Sequence, residues 1–495
     1  MSDHIQRLSK SQYLRGLQCP KALWLHRHRL DLAPPITEQK QWLFDSGHEV
    51  GRLAQAFFED GLLIDEPYRA TDRAIDATNH AIADGREVIY EATACSPDGA
   101  FSRIDILKKD GPVHRWDLIE VKQSTAVKDY HIDDIALQRY AFAEAGYDVQ
   151  RSILMHLDRD YVRRGGIDPH QLFLLEDCTD LAVSRMAAVP GLLANLLQVA
   201  NQSDEPTAPI GRHCRSPFEC DFVGYCWQHV PAYSVFNVFG GDKLDSLLAM
   251  NILDVRNLPP ALPLTDRQSI DVQAHVSGKM HIDRGAVAGF LNALEYPLYY
   301  LDYETIFPAI PLFDRSSPYQ QIPFQFSLHT QQRPGSEVAH EEFLHIDGDD
   351  PREDFIRALV ESCGSRGSVI VYNMAFEARI NRELAARFPR HAAALEAINT
   401  RMIDLLVPFR SRYLYHPAMQ GSASIKKVLP AFVPELRYDD LAIGDGDTAS
   451  RQYLKCIKNM VTEDEKQTIY ADLKRYCAMD TWAEVRLIER LREII

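Results

Sequence analysis

The chain reads as an α/β protein with more than one domain, and three observations lead there. Its 495 residues exceed what one ordinary core organises, since domains of roughly 150 residues are the norm. Runs of β-branched and aromatic residues with strand alternation are interspersed with helical patterns in both halves, the order that covers sheets with helices. With 46% hydrophobic and 25% charged residues, the composition is that of a soluble globular protein with enough apolar side chains to fill such cores.

Residues 4 to 30 carry helical periodicity in Tyr13, Leu14, Leu17, Leu23 and Trp24, with Ser9 and Ser11 as caps. Proline is tolerated in a first helical turn, so Cys19-Pro20 places Cys19 between two helices with an accessible thiol. A further helix is predicted from about Glu38 to Glu59 and carries His48 between Gly47 and Gly51. Small neighbours let a backbone or substrate approach the imidazole; a core or surface histidine is the alternative. REVIYEATA, residues 86–94, predicts a strand leading into a β-hairpin over Phe101–Lys122. Alternation puts Glu120 and Lys122 on one face of its second strand, and Asp105 of the first can lie beside them. Carboxylates and an amine within apolar strands are costly to desolvate, which points to a bound metal. A surface hairpin with an ion pair is the competing reading. DYHIDDIALQRYAFAEAGY predicts a helix with Gln138 and Phe142 on one face, followed by a strand in SILMHLDRDYV and helix to about Ala200.

The nine cysteines of a chain expected in the cytosol do not suggest a disulfide framework. Cys214, Cys220 and Cys226 recur with five residues between neighbours, and Cys19 is the natural fourth member of a thiolate cage. Such cages hold iron-sulfur clusters or zinc. Structural zinc favours tight spacings, so these wider gaps favour the cluster, with zinc and unligated core cysteines as alternatives. Cys95, Cys178, Cys363, Cys456 and Cys477 are scattered and read as small buried hydrophobes.

From about Val230 to Leu294 short helices surround a proline-rich break, expected as a connector. YPLYYLDYETIF, residues 296–307, then predicts an apolar strand with Asp302 and Glu304 on one face. Adjacent carboxylates repel unless a divalent cation lies between them. A strand in IPFQFSLHT, a loop, and a strand-to-helix junction with Asn373, Phe376 and Glu377 follow, then RMIDLL with Asp404. The last helix, from about Glu463, places Tyr476 and Asp480 one turn apart.

The polar, basic N-terminus has no apolar core of a secretory signal, and no apolar run approaches the roughly 20 residues that cross a bilayer. The expected compartment is the cytoplasm, with no membrane partner. The formal charge of −16 argues against a protein that merely coats nucleic acid. It is compatible with an enzyme that has local basic tracks, and the first thirty residues are locally basic.

With these residues in place, the block from about 10 to 230 resembles the PD-(D/E)xK nucleases of the RecB-like branch, including CRISPR-associated iron-sulfur exonucleases. His48, Asp105, the Glu120/Lys122 pair, Gln138 and the four cysteines carry the likeness. That family's helix motif reads Q-x3-Y, and here the last position is Phe142, with Tyr140 the nearest tyrosine. The block from about 296 to 495 resembles a DnaQ-like DEDD exonuclease of the RNase H superfold, through Asp302, Glu304, Glu377, Tyr476 and Asp480. Glu377 stands where that family has an aspartate. The combination is similar to a bacterial group known as a domain of unknown function.

The resemblance implies a nuclease domain over 1–230, a connector over 231–295 and an exonuclease domain over 296–495. It implies Mg2+ or Mn2+ at His48, Asp105 and Glu120, with Lys122 and Gln138 assisting. A second Mg2+ or Mn2+ site is implied at Asp302, Glu304, Glu377 and Asp480, with Tyr476 positioning water. A 4Fe-4S cluster is implied at Cys19, Cys214, Cys220 and Cys226, with Zn2+ the alternative. The expected function is a metal-dependent DNase on single strands or ends, in DNA repair, processing or defence. A catalytically degenerate nucleic-acid-binding or assembly subunit and an RNA-directed exonuclease are the alternatives.

Overall fold

Alternating apolar residues draw β1 (Val88–Cys95), β2 (Ala100–Lys109) and β3 (Arg115–Lys122) into an antiparallel meander. The structure, a computed structural model, describes residues 6–111 and 114–495. Pro112, in the expected hairpin turn, and residues 1–5 lie outside the described residues. The fold is mixed α/β. It divides into two units, Met1–His229 with Pro308–Tyr319, and Val230–Phe307 with Gln320–Ile495.

In the first unit, β4 (Asp148–Leu157) pairs parallel to β3, and β5 (Phe173–Asp177) pairs antiparallel to β4. The short strands Leu8–Ser9 and Leu62–Leu63 complete a seven-stranded sheet. Strand β5 was expected as part of a helix. Only its Phe173 is buried, as suits an edge strand, whose exposed side chains carry little apolar pattern to read. Helices α1 (Lys10–Gln18) and α2 (Pro20–His28) meet at Cys19, which ends one and begins the other. Helix α3 (Glu38–Gln55) covers one sheet face, where Val50 and Ala54 pack with Ile106 and Ile119. Helix α4 (Asp129–Glu144) is the crossover between β3 and β4, and its Phe142 packs with Leu107 and Leu118. The segment Pro308–Tyr319 is held to this unit by the Arg163 guanidinium, which donates to the Pro311 and Leu312 carbonyls at 2.9 and 2.5 Å.

The second unit is built on a five-stranded sheet. Its central strand β6 (Leu298–Ile306) pairs antiparallel with β7 (Ile322–Gln331), which pairs antiparallel with β8 (Val338–Leu344). On the other side β6 runs parallel to β9 (Ser368–Val371), and β9 to β10 (Met402–Asp404). Strand β8 and the helix Arg352–Ser362 occupy what was expected as loop. Most of β8 is solvent-exposed and its Glu341 and Glu342 are charged, so no apolar alternation marks it. Helix α5 (Ala375–Arg387) follows β9, and α6 (Glu463–Ile494) lies against β6 and β7. Residues expected as a connector pack into this unit. Ala274 and Val287 join the core around Leu298 and Tyr300, and the Asp271 carboxylate accepts from the buried Arg412 guanidinium at 2.6 and 2.9 Å. No single helix among the described residues is long and apolar enough to cross a membrane.

Candidate functional site

Strand register builds the first acidic row. Tyr90 pairs with Ile106 and Ala92 with Ile104, so Glu91 comes opposite Asp105. Ile106 pairs with Ile119, so Asp105 comes opposite Glu120 one step beyond the ladder. There the Asp105 carboxylate accepts the Val121 N–H at 2.6 Å. Glu91 sits in left-handed backbone, φ 57°, an unfavourable conformation for a residue with a Cβ that surrounding structure must hold.

Glu120 is buried at 2% exposure, and its Oε1 accepts from the Lys10 ammonium at 2.6 Å and the Lys122 ammonium at 2.8 Å. Lys122 also donates to Asp134 at 2.5 Å. Burial pushes the Glu120 carboxyl up, but the two ammonium groups outweigh it and hold it below the ordinary range. Burial, then the Glu120 charge, lifts Asp105 to about 8. Burial would lower Lys122, but Asp134 and Glu120 more than reverse that. The second Glu120 oxygen, Oε2, is buried without a hydrogen-bond partner. A buried carboxylate oxygen without a partner is available as a cation ligand.

The expected trio is not fully assembled. The ligand atoms of His48, Asp105 and Glu120 do not all lie within 4.8 Å of one another. His48 is exposed on α3, and its charge is felt at Glu91. Gln138 does not work at the carboxylates directly. Its buried amide donates to Asp134 at 3.1 Å and accepts from the Ser102 hydroxyl at 3.0 Å, so it orients the partner of Lys122. Phe142 is core, and the Tyr140 hydroxyl donates to Asp98 at 2.6 Å, away from this row. Lys10, Glu91 and Asp134 were missed. Asp134 stands four residues before Gln138, a same-face signal that could have found it.

The second site lies on β6. Asp302 is half-buried and Glu304 buried. Asn373, in left-handed backbone at φ 83°, turns β9 sharply into α5, and its N–H donates to Asp404 at 3.0 Å. That turn places Glu377 in the first turn of α5, buried at 2% exposure. On α6, Tyr476 and Asp480 share a face, and the Asp480 carboxylate accepts from the hydroxyls of Tyr476 and of Tyr438, the latter at 2.6 Å. Two further residues of α6 reach this centre. Glu484 is 1% exposed and Cys477 fully buried. Cys477 was expected to be core filler, yet its Sγ lies 3.7 Å from an Asp302 carboxylate oxygen. Among the described residues, Asp302, Glu304 and Cys477 are the one group of three or more His, Cys, Asp or Glu whose ligand atoms all lie within 4.8 Å of one another.

Burial acts first here, and like charge adds to it at Asp302, Glu304, Glu377 and Glu484. Burial, then Asp480, raises Asp302 well above its ordinary value. Burial, then Asp302, does the same to Glu304, Glu377 and Glu484. Asp480 rises to about 6, burial being partly offset by the two tyrosine hydroxyls and the Lys426 ammonium. Burial and then Asp480 push the Tyr476 hydroxyl far up, so it stays a proton donor. Oε2 of Glu377 and of Glu484 is buried with no hydrogen-bond partner. Clustered carboxylates with orphaned oxygens are the donor set of a hard or borderline divalent cation.

Cys19, Cys214, Cys220 and Cys226 line one cavity together with Ala22, Leu25 and Phe222. None of the four is in a disulfide. A tetrahedral zinc site with bonds of ~2.3 Å sets its sulfurs about 3.8 Å apart, whereas no three of these Sγ atoms lie within 4.8 Å of one another.

Fold and site together define a mixed α/β protein with a buried acidic centre on its second sheet. Residues 299–424 match a domain of unknown function, DUF2779. The match takes in Asp302, Glu304 and Glu377 and ends before Cys477, Asp480 and Glu484. An uncharacterized protein of Ureaplasma parvum serovar 3 is 28% identical over 218 residues, 40% of this chain and 31% of that protein. An uncharacterized protein of Mycoplasma genitalium is 27% identical over 224 residues, 41% of this chain and 33% of that protein. The chain thus matches about a third of the length of these curated relatives.

Proposed function

We propose that the protein is a metal-dependent nuclease acting on DNA single strands or ends, with its strongest centre on β6. The observation that carries this reading is the gathering of half-buried Asp302 with buried Glu304, Glu377, Asp480 and Glu484 in one mutual field, Oε2 of Glu377 and of Glu484 being left without a hydrogen-bond partner. Asp302, Glu304, Glu377 and Asp480 would hold Mg2+ or Mn2+. Such cations supply charge stabilisation at a transferring phosphoryl group and a more acidic water. Tyr476, whose O–H is given to Asp480, can accept a hydrogen bond from a water at its oxygen and so orient that water.

In the first unit Asp105 and Glu120 would hold a cation, with Glu91 opposite Asp105. The Lys122 ammonium, fixed by Asp134 and through it by Gln138, is placed to stabilise developing negative charge. The four cysteines lining one cavity would hold a 4Fe-4S cluster, favoured over zinc by the wide sequence spacing of Cys214, Cys220 and Cys226.

The test is cleavage of single- and double-stranded DNA and of RNA with Mg2+ or Mn2+ by wild type, Lys122→Ala and Asp302→Ala. Asp302→Ala is expected to lose about a hundredfold or more in activity. Equal inertness of all three on every substrate sinks the enzyme reading. Salt-sensitive DNA binding without cleavage would leave a binding or assembly subunit, and cleavage of RNA alone would make RNA the substrate.

A further inference from the structure

We propose that the centre on β6 takes a divalent transition-metal ion of the cobalt or zinc class, held by Asp302, Glu304 and the Cys477 thiolate. The inference rests on the metal-binding half of the nuclease reading and not on its phosphodiester chemistry.

The geometry is the first argument. One oxygen from each carboxylate and the Cys477 Sγ already lie within 4.8 Å of one another, close enough for one ion to bridge all three with small side-chain adjustments. The thiol is directed at Asp302, 3.7 Å from Oδ2 and 3.8 Å from the backbone carbonyl oxygen. A cysteine serving only as a small hydrophobe would sit among apolar neighbours, whereas this one is fully buried beside carboxylates.

A second, independent observation concerns the surrounding side chains. Glu377 and Glu484, 2% and 1% exposed, each leave Oε2 without a partner, and both feel the charge of Asp302. Carboxyl groups gathered in this way are neutralised either by protons or by a cation, and the orphaned oxygens are free to face the latter.

Ligand softness then sets the class. Magnesium takes an octahedron of oxygens and keeps much of its water, so sulfur is a poor ligand for it, whereas cobalt and zinc accept mixed sulfur and oxygen donors. Binding is balanced by proton release: the thiol S–H bond breaks, a sulfur–metal bond forms, and H+ leaves to solvent.

The experiment titrates the full-length chain with Co2+ and follows the cobalt–thiolate charge-transfer band in the near ultraviolet. Wild type, Cys477→Ser and Cys220→Ser are compared, the last separating the four-cysteine cavity. The band attributable to Cys477 is expected to vanish in Cys477→Ser and persist in Cys220→Ser. Co2+ affinity is expected to fall about tenfold or more in Cys477→Ser, with Mg2+ affinity moving less than about threefold. Should Cys477→Ser not fold, cadmium NMR of the wild-type chain is expected to show a resonance with one sulfur among oxygens. An unchanged band with Co2+ affinity within about twofold in a folded Cys477→Ser overturns the proposal, as does the absence of that cadmium resonance. If DNA is still cut with Mg2+ in that case, the nuclease reading survives. A Cys477-dependent band in a chain that cuts no nucleic acid supports the proposal and ends the nuclease reading.

Discussion

At Asp105 burial and the facing Glu120 lift the carboxyl from the ordinary 3.8 to about 8. A group whose folded value is raised stabilises the fold fully below its unfolded value, and that contribution is lost as pH climbs through the folded one. Glu120 is shifted the other way, so its contribution is lost only under acid conditions, below the ordinary range. The metal-free protein is therefore expected to lose stability between about pH 4 and about pH 8. Asp105→Asn is expected to flatten that slope, measured as urea midpoints in chelator across the window. A slope identical in both proteins would show that Asp105 is ionised throughout. The charge pattern at Glu120 and Lys122 was legible as strand alternation. Lys10, 110 residues away from Glu120, was not, because alternation reports faces within one element and says nothing about which other element docks there.

At the scale of elements, α6 presents Cys477, Asp480 and Glu484 along one stripe towards β6. Between them the Thr481 hydroxyl is within hydrogen-bond distance of Ser327 and His329, at 2.7 and 2.8 Å, which fixes the rotation of the helix against β7. Tyr476 and Asp480 were legible as one helical turn. Glu484 is one turn further on and carried the same signal, but only the packed helix shows it buried with an orphaned oxygen. Its folded pKa is raised, so its contribution to metal-free stability fades as pH rises. Glu484→Gln is expected to raise the metal-free Tm above neutral pH by roughly 2–4 °C, equivalent to about 1 kcal/mol. Under acid conditions Tm should hardly change, while divalent-cation affinity falls about tenfold or more. Calorimetry at two pH values checks the first expectation and a metal titration the second. Unaltered metal affinity would mean that Glu484 lies outside the ligand set.

At the scale of the whole chain, the cysteine cavity joins the α1–α2 junction to residues 214–226, with Cys19 and Cys214 separated by 195 positions. A group clamping ends so distant in sequence removes considerable freedom from the unfolded chain. Anaerobically purified wild type is expected to contain iron and labile sulfide and to absorb in the visible. Cys220→Ser is expected to lose all three and about 5 °C or more in Tm. Stoichiometric zinc without iron would replace the cluster by a zinc site.

The mixed α/β class, the strands bearing Asp105, Glu120, Asp302 and Glu304, the helices bearing His48, Gln138, Tyr476 and Asp480, and the interhelical place of Cys19 were all set out by local pattern. These are properties of short windows, where side-chain period and turn chemistry act directly. Edge strands such as β5 and β8 escaped because solvent on their side chains erases the period. Packing alone decided that Lys10 neutralises Glu120, that Gln138 works through Asp134, and that Cys477, 175 residues from Asp302 in sequence, belongs to an acidic centre and not to the anonymous core. Long-range partners of this kind are chosen by register and by core complementarity between elements, neither of which is present in any one stretch of the chain.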